Sequence, residues 1–463
     1  MDVPALKGRA KGLGSLAGML LGYSLFLASV SGSRPFWLDE ILQLIGTRDL
    51  SGDALLNYVR GFPGAAPLGY AIQHSAISLL GFSFFSTRAS SELSSVLSCL
   101  VLIVICRQLF SERTHIWYLV FSWMILPLQL RYALEARPYS QGIFFSALGT
   151  LCILSIAARP APAKGLAYAV IIALGLYSAP YTAFMQAGYV LSLCFTRRSL
   201  KAMLPALAGL IGGALAFLPW YLTSTRNWSE ALAVANDGGF SLSARFPLMI
   251  VREISGGGYY CSIPLIVLAV MGSQSAGISR TAKSILISGI ASGLLVALLA
   301  DAAFGYFFAI RQVLFILVPM IILAAEGFHL LLQRQHRVAA GVLAVLFLAG
   351  SLVKDFRYLT DRSEDWAVGA NAVRSAARNG ACILFTDDVS ARLFTFFEPS
   401  ISRDICGSEN APRVIVPTNR YTRPIQATVL QQRLSRDGFR KIASSTVSGQ
   451  EISTWEQNAK LRP

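Results

Sequence analysis

The chain has 463 residues, of which 54% are hydrophobic and only 14% are charged, and its mean hydropathy is +0.54. This composition excludes a soluble globular protein of that length and indicates a polytopic membrane protein. The net charge of +15 does not indicate nucleic-acid binding. Much of the Lys and Arg falls in short loops between apolar segments, and no basic stripe on a soluble surface carries interleaved aromatic residues.

Eleven apolar segments are predicted to span the membrane. They cover residues 12–31, 88–106, 115–130, 140–158, 165–179, 181–196, 202–222, 259–273, 284–300, 310–332 and 338–353. With the amino terminus inside, every loop that should face the cytoplasm contains Arg or Lys, and Glu112 is the only acid between those spans. This pattern predicts that the carboxyl terminus lies outside the cell membrane.

The segment 67–81 is apolar but only 15 residues long, and Gln73 and His74 lie in its middle. As a span it would reverse every later loop, so we interpret it as an interfacial or re-entrant helix. Residues 32–87 then form a long first outer loop with interfacial helices. The outer loop 223–258 ends in a glycine run. This run is compatible with a hinge, and disorder of the loop is the alternative.

The composition becomes polar after residue 353. We therefore divide the chain into a transmembrane domain, 1–353, and a small extracytoplasmic α/β domain, 354–463. Helices are predicted at 366–378, 391–397 and 427–437, and strands at 381–385, 413–416, 440–445 and 451–455. The domain is expected to cap the membrane part, with acceptor recognition as the alternative. Cys382 and Cys406 would form a disulfide in an oxidising compartment.

The first candidate site is Asp39-Glu40, which follows Phe36-Trp37 just after the first span. The aromatic residues suit the membrane interface and the acids its aqueous edge. The alternative is a hydrophilic stop after an anchor helix. Two touching carboxylates would titrate as a pair, and a modest rise in pKa would suit Asp39 to act as a general base.

Two further candidates are predicted to lie on the same face. The stretch 131–140, RYALEARPYS, contains Arg131, Glu135, Arg137 and Tyr139, which is more than interfacial snorkelling needs. Arg311 opens the tenth span, where an Arg is costly unless it is paired or binds an anion. Pairing with Asp301 or Glu253 is the alternative. Together these residues suit an anionic, membrane-borne substrate, with Arg on a phosphate and an acid on a hydroxyl.

The chain resembles the GT-C glycosyltransferases of the protein mannosyltransferase and lipid A aminoarabinose transferase type. The resemblance covers roughly residues 10–330. It rests on the order of the acid pair, Pro67-Leu68-Gly69-Tyr70 with His74, Arg88 with Ser90, and Glu135-Ala136-Arg137-Pro138-Tyr139. It departs from the family at Ala66-Pro67, where two prolines are common.

The resemblance implies transfer of a sugar from a polyprenyl-phosphate donor, on the outer face of the membrane and with inversion. Asp39 then corresponds to the catalytic base and Glu40 to its companion. Arg137 and Arg311 correspond to donor-phosphate contacts and Tyr139 to a pocket residue. His74 matches a position often occupied by His, although a core histidine is the expected role. The acceptor, whether lipid, glycan or protein, is not implied.

No metal or other cofactor is expected, although a divalent metal is not excluded. Arg can neutralise a leaving phosphate monoester, which carries less charge than a nucleotide diphosphate. No Asp-x-Asp motif lies beside a predicted nucleotide-binding fold, which argues against a nucleotide-sugar donor. The cysteines show no CxxC spacing, which argues against a cysteine metal site.

Two other classes of function are open. One is a lipid-linked sugar carrier or flippase, which usually shows paired halves and charges near the bilayer midplane. The chain has no internal repeat, and its acids cluster at one face. The other is a non-catalytic scaffold. The expected location is a bacterial inner membrane, in contact with membrane lipids.

Overall fold

The computed structural model describes residues 3–62, 64–196, 200–224, 246–304, 310–378, 380–406, 411–419, 421–422 and 424–457. Most of the loop 223–258, including its Trp228 and Asp237, lies outside them. The chain divides into two compact units. The first contains Met1–Ser31 and Gly46–Tyr358, and the second contains Gly32–Ile45 and Leu359–Pro463. The segment 32–45, which we had expected in the membrane domain, is therefore grouped with the carboxyl-terminal residues.

The membrane unit is built from helices, because almost every backbone polar group in lipid must be satisfied within its own segment. The helices are α1 Val3–Val30, α2 Leu38–Asp49, α3 Gly52–Arg60, α4 Pro67–Leu80, α5 Phe84–Leu109, α6 Arg113–Ile125, α7 Pro127–Ala133, α8 Tyr139–Ala158, α9 Pro162–Ser178, α10 Thr182–Thr196, α11 Leu200–Ser224, α12 Phe246–Glu253, α13 Tyr259–Gln274, α14 Arg280–Phe304, α15 Leu317–Gln333 and α16 Arg337–Thr360, with a 3-10 helix at Ile310–Ile316. Residues 38–45 of α2 and 359–360 of α16 are grouped with the second unit. Each of the eleven predicted spans is occupied by helix, and the expected helical membrane fold is confirmed.

By length and composition, six helices in the described residues can cross a membrane. They are Phe84–Leu109, Tyr139–Ala158, Met203–Ser224, Arg280–Leu299, Arg311–Gln333 and Arg337–Thr360. Four shorter apolar helices accompany them, at Gly14–Val30, Pro162–Ser178, Thr182–Thr196 and Tyr259–Gln274. The ambiguous segment 67–81 forms α4, of 14 residues, which is too short for a span of this kind.

The predicted span 115–130 differs from the structure, because it is two helices rather than one. Leu126 has an extended conformation, with φ −72° and ψ 116°, and Pro127 opens α7. A proline disfavours helical geometry in the preceding residue but fits the first turn of a new helix. The stretch 131–139 therefore begins inside α7, and its chain turns at 134–138 before α8 starts.

Glycines allow two helices of the membrane unit to touch along their backbones. A Cβ atom added to Gly272 of α13 would lie 1.9 Å from the carbonyl oxygen of Leu323 in α15. A Cβ atom added to Gly327 of α15 would lie 1.9 Å from the carbonyl oxygen of Leu268 in α13. Small residues at such crossings are the usual way in which membrane helices pack closely.

The second unit contains a four-stranded sheet with the strand order β1-β2-β4-β3. Its elements are α17 Trp366–Ala377, β1 Cys382–Ile383, α18 Asp388–Phe397, a 3-10 helix at Pro399–Arg403, β2 Arg413–Asn419, α19 Pro424–Arg436, β3 Phe439–Val447 and β4 Gln450–Gln457. Strands β1 and β2 are parallel, and the other two pairs are antiparallel. The expected small α/β domain is confirmed, and Cys382 forms a disulfide with Cys406.

Candidate active site

The stretch 131–139 forms the polar end of α7 and the turn into α8. Nε of Arg131 donates to Oε1 of Glu135 at 2.9 Å, and the Glu135 side chain is fully buried. Glu135 lies in the turn that follows α7, four residues after Arg131, so this pair forms within the stretch itself. The charge of Glu135 raises the pKa of Arg131 above its ordinary value. Arg131 and Glu135 therefore act mainly on each other in this structure.

Arg137 and two tyrosines form the aromatic part of the same stretch. The guanidinium carbon of Arg137 lies 5.6 Å from the centre of the Tyr139 ring, and the Tyr139 ring meets the Tyr132 ring edge-on at 4.8 Å. Burial raises the pKa of Tyr132, and the charges of Arg131 and Arg311 oppose that rise. The charge of Arg311 therefore acts on this stretch, while its binding role stays a prediction.

Side chains from three other elements hold the backbone of this stretch. Oγ of Ser91 donates to the Arg137 carbonyl at 2.8 Å, and Nε2 of Gln73 donates to the Ala136 carbonyl at 3.2 Å. The Tyr358 hydroxyl donates to the Arg131 carbonyl at 3.2 Å. Each bond ties a backbone carbonyl of this stretch to a different helix, so Arg131 and Arg137 extend from a backbone that is held in place.

Gly69 allows α4 to pack closely against the turn at 134–138. A Cβ atom added at Gly69 would lie 2.4 Å from Cβ of Pro138. The stretch Pro67-Leu68-Gly69-Tyr70 therefore has a packing role here. The sequence analysis noted this motif without a role, because nothing local to it indicates Pro138 as the neighbour.

His74 lies on α4, half-buried, with its Nδ1 atom 2.8 Å from the Thr47 carbonyl oxygen. A carbonyl oxygen only accepts hydrogen bonds, so Nδ1 carries the proton and donates it. This contact gives His74 a structural partner. Its place in a substrate pocket stays a prediction.

Asp39 and Glu40 belong to the second unit, whereas the arginines belong to the first. Both acids lie in the first turn of α2, where the helix dipole favours negative charge. The backbone N–H of Trp37 donates to Oε2 of Glu40 at 3.2 Å. This contact is one half of a capping box, and Glu40 is 1% exposed. Asp39 is half-buried. The catalytic roles of both acids stay predictions.

The Glu364 carboxylate anchors the start of α2 within the second unit. Its Oε1 atom accepts from the Leu38 backbone N–H at 3.2 Å and from Nε1 of Trp366 at 3.1 Å. Its Oε2 atom accepts from the Tyr421 hydroxyl at 3.1 Å. Glu364 could not be found from sequence, because 326 residues separate it from Leu38 and no local pattern connects them.

Across the described ranges, no group of three or more His, Cys, Asp or Glu side chains is arranged to hold a metal ion. The polar groups of the candidate site are therefore guanidinium, carboxylate and phenol groups. They can bind an oxyanion, accept a proton and exclude water with aromatic rings.

Residues 64–222 match the model of the family described as dolichyl-phosphate-mannose-protein mannosyltransferase. Among curated proteins, no sequence matches the chain. ArnT from Cupriavidus metallidurans in the apo state is similar in structure, with a TM-score of 0.60 and 12% identity, over 96% of this chain and 98% of that one. ArnT bound to undecaprenyl phosphate gives the same score and identity, over 95% and 98% of the two chains.

The mycobacterial arabinofuranosyltransferase AftD, a much longer chain, is also similar. Its TM-score is 0.53 at 13% identity, over 94% of this chain and 41% of AftD. ArnT and AftD are both GT-C glycosyltransferases. The predicted resemblance and the GT-C fold are thereby confirmed.

Proposed function

We propose that this chain, which has the GT-C glycosyltransferase fold, moves a sugar from a polyprenyl-phosphate donor to a hydroxyl group of a lipid, glycan or protein acceptor. The proposal places the reaction on the outer face of the membrane. It is supported by the basic loops that alternate with the spans, which put the amino terminus inside.

The observation that carries the proposal is the group formed by Arg137, Arg311 and Tyr139 around the buried Tyr132. The Arg137 guanidinium lies over the Tyr139 ring, on a backbone that Ser91 holds, and the charge of Arg311 acts on the buried Tyr132 next to that ring. A guanidinium group can donate two parallel hydrogen bonds to the oxygens of a phosphate, and aromatic rings shield that contact from water. A structure with the same fold, ArnT, binds undecaprenyl phosphate.

In the proposed mechanism, Asp39 removes the proton from the acceptor hydroxyl as that oxygen attacks the anomeric carbon of the sugar. The bond from that carbon to the phosphate oxygen breaks on the opposite face, which inverts the anomeric configuration. The polyprenyl phosphate leaves with the electron pair of that bond. Arg137 and Arg311 neutralise the charge that develops on it.

The arginines make a metal ion unnecessary in this mechanism. A leaving phosphate monoester develops less charge than a nucleotide diphosphate, so two guanidinium groups can neutralise that charge. We therefore propose that transfer continues when a chelator removes divalent cations. Complete loss of turnover in the chelator, with recovery on adding a divalent metal, would contradict this part of the proposal.

The function is tested with the purified chain in detergent, a radiolabelled polyprenyl-phosphate sugar and extracted cell-envelope acceptors. The measurement is the release of polyprenyl phosphate from the labelled donor. A transferase converts the label into a new product in a single compartment. A flippase needs two compartments and leaves the donor intact in detergent. Intact donor after incubation with every acceptor fraction would contradict the proposal.

A further inference from the structure

Arg60 is a cationic side chain that the proposed mechanism does not use. It ends α3, and its guanidinium carbon lies 5.3 Å from the centre of the Trp220 ring. Its Nη1 atom donates to Oδ1 of Asn57 at 2.6 Å. Its Nε atom is shielded from solvent but meets no hydrogen-bond acceptor in the part of the chain that the structure describes.

No carboxylate pairs with Arg60 in that same part of the chain. Two other arginines of the membrane unit do have such partners: Arg48 contacts Asp49 at 2.7 Å, and Arg131 contacts Glu135 at 2.9 Å. A half-buried guanidinium without a counter-charge is costly, because it has lost part of its hydration without gaining an ion pair. Such a residue is suited to a ligand that supplies the anion.

The surroundings of Arg60 connect it to the start of the tenth span. Nε1 of Trp220 donates to the Ala65 carbonyl at 3.2 Å. The next residue back, Gly64, has φ +74°, and a Cβ atom there would lie 3.3 Å from the Tyr181 hydroxyl. That hydroxyl also accepts from Nε2 of Gln312, at 3.4 Å.

Contacts therefore connect Arg60 to the neighbour of Arg311 through one polar and aromatic wall, formed by Trp220, Tyr181 and Gln312 with the backbone of Gly64 and Ala65. Glycine at position 64 allows both the backbone conformation and the close approach of Tyr181. Gln312 is 4% exposed, so the wall is packed rather than open to solvent.

The position of Arg60 along the membrane normal indicates which anion it could bind. Trp220 lies four residues before the end of the apolar helix Met203–Ser224. Tryptophan at such an end is typical of the headgroup level of a bilayer. An oxyanion at that level, beside apolar helices, is most simply the phosphate of a lipid.

We propose that Arg60 binds the phosphate of a membrane lipid, and that this lipid is the polyprenyl-phosphate donor. The second part rests on the proposed function. Arg60 would then contact the phosphate from the side of α3, and Arg311 from the side of the tenth span. The aromatic wall keeps water away from the contact.

The test measures binding of radiolabelled undecaprenyl phosphate to the purified full chain in detergent. We expect Arg60→Gln to weaken binding about tenfold, which corresponds to about 1.4 kcal/mol. Arg60→Lys keeps the charge but loses the planar pair of donors, so it should weaken binding less. Arg48→Gln is the matched control, because Arg48 is already paired with Asp49 and lies over the Phe82 ring. This variant should bind undecaprenyl phosphate with wild-type affinity.

Three outcomes would overturn the inference. The first is wild-type affinity in Arg60→Gln; should that variant fail to fold, wild-type affinity in Arg60→Lys has the same meaning. The second is an equal loss of affinity for phosphatidylglycerol, which would show a site for bulk lipid. The third is complete displacement of the lipid by millimolar inorganic phosphate, which would show a site for free phosphate.

The inference and the proposed function can fail separately. The binding assay contains neither sugar nor acceptor, so an Arg60-dependent affinity would stand even if no transfer were found. Conversely, transfer with an unchanged donor KM in Arg60→Gln would remove the role of Arg60 and leave the transferase activity intact.

Discussion

The stretches 131–139 and 32–45 are both short, polar and placed at the ends of apolar segments, but they are held in different ways. Bonds from Ser91, Gln73 and Tyr358 fix the first within the membrane unit. The Glu364 carboxylate anchors the second, in the other unit. The proposed phosphate-binding residues are thus part of the helical membrane unit, and the proposed base belongs to the unit that contains the sheet. Donor binding and turnover should therefore be separable by mutation.

The largest effect is expected for Asp39→Asn. An amide cannot accept the acceptor's proton, so kcat should fall about 1,000-fold, within the usual range for loss of a general base. The dissociation constant of the donor should stay unchanged, because the arginines are intact. Steady-state transfer and donor binding measure the two quantities.

Asp49→Asn is the matched control for that variant, since Asp49 lies on the same helix but is exposed and paired with Arg48. It should keep wild-type kcat. Near-normal turnover in Asp39→Asn would show that Asp39 is not the base. The stretch 32–45 would then have no separate role in turnover.

Glu364→Ala tests what holds the acid segment. It removes the acceptor of the Leu38 N–H, the Trp366 indole and the Tyr421 hydroxyl, which should lower the local stability of segment 32–45 by about 3 kcal/mol. Hydrogen exchange of the Leu38 amide, followed by mass spectrometry, reports this change.

Asp361→Asn serves as the comparison, because its contact with Arg34 is 3.9 Å long and its own carboxylate is exposed, and such long contacts contribute little. If the Leu38 amide exchanges at the same rate in Glu364→Ala and in the wild type, another group holds the segment.

Gly69→Ala tests what holds the arginine stretch. The new methyl group would overlap Pro138, which should destabilise the membrane unit by about 2 kcal/mol and displace Arg137. Thermal unfolding in detergent and donor affinity are the measurements. Gly22→Ala is the control, because no atom lies within 4 Å of a Cβ there. Equal melting points for the two variants would show that Pro138 can move aside.

Arg137→Gln should have the smallest effect on the reaction. It removes one of the proposed phosphate contacts, so the donor KM should rise about tenfold, or about 1.4 kcal/mol, with a smaller change in kcat. An unchanged KM together with a large drop in kcat would mean that Arg137 acts only in the transition state.

Much of the membrane unit could be predicted from sequence, because lipid demands long apolar helices and leaves basic residues in short loops. The break at Leu126-Pro127 was missed although the proline was visible. A hydropathy profile is continuous across that bond, and only the geometry before a proline indicates the break.

The partners of the candidate site could not be predicted. Arg131 and Glu135 are only four residues apart, at the end of α7 and in the turn after it, so their pairing is local. The contacts Glu364 with Leu38 and Gly69 with Pro138 depend on how distant segments pack, and neither has a local signature. Glu40 illustrates the same limit, because its capped residue is Trp37 rather than the usual Ser, Thr, Asp or Asn.

Mass spectrometry of surface lipids and glycans from cells that lack this protein tests the central claim most directly. The account predicts that one glycan or lipid loses a single sugar residue. Wild-type protein and Asp49→Asn should restore that residue, whereas Asp39→Asn should not. An unchanged set of surface glycans, or full restoration by Asp39→Asn, would contradict the account.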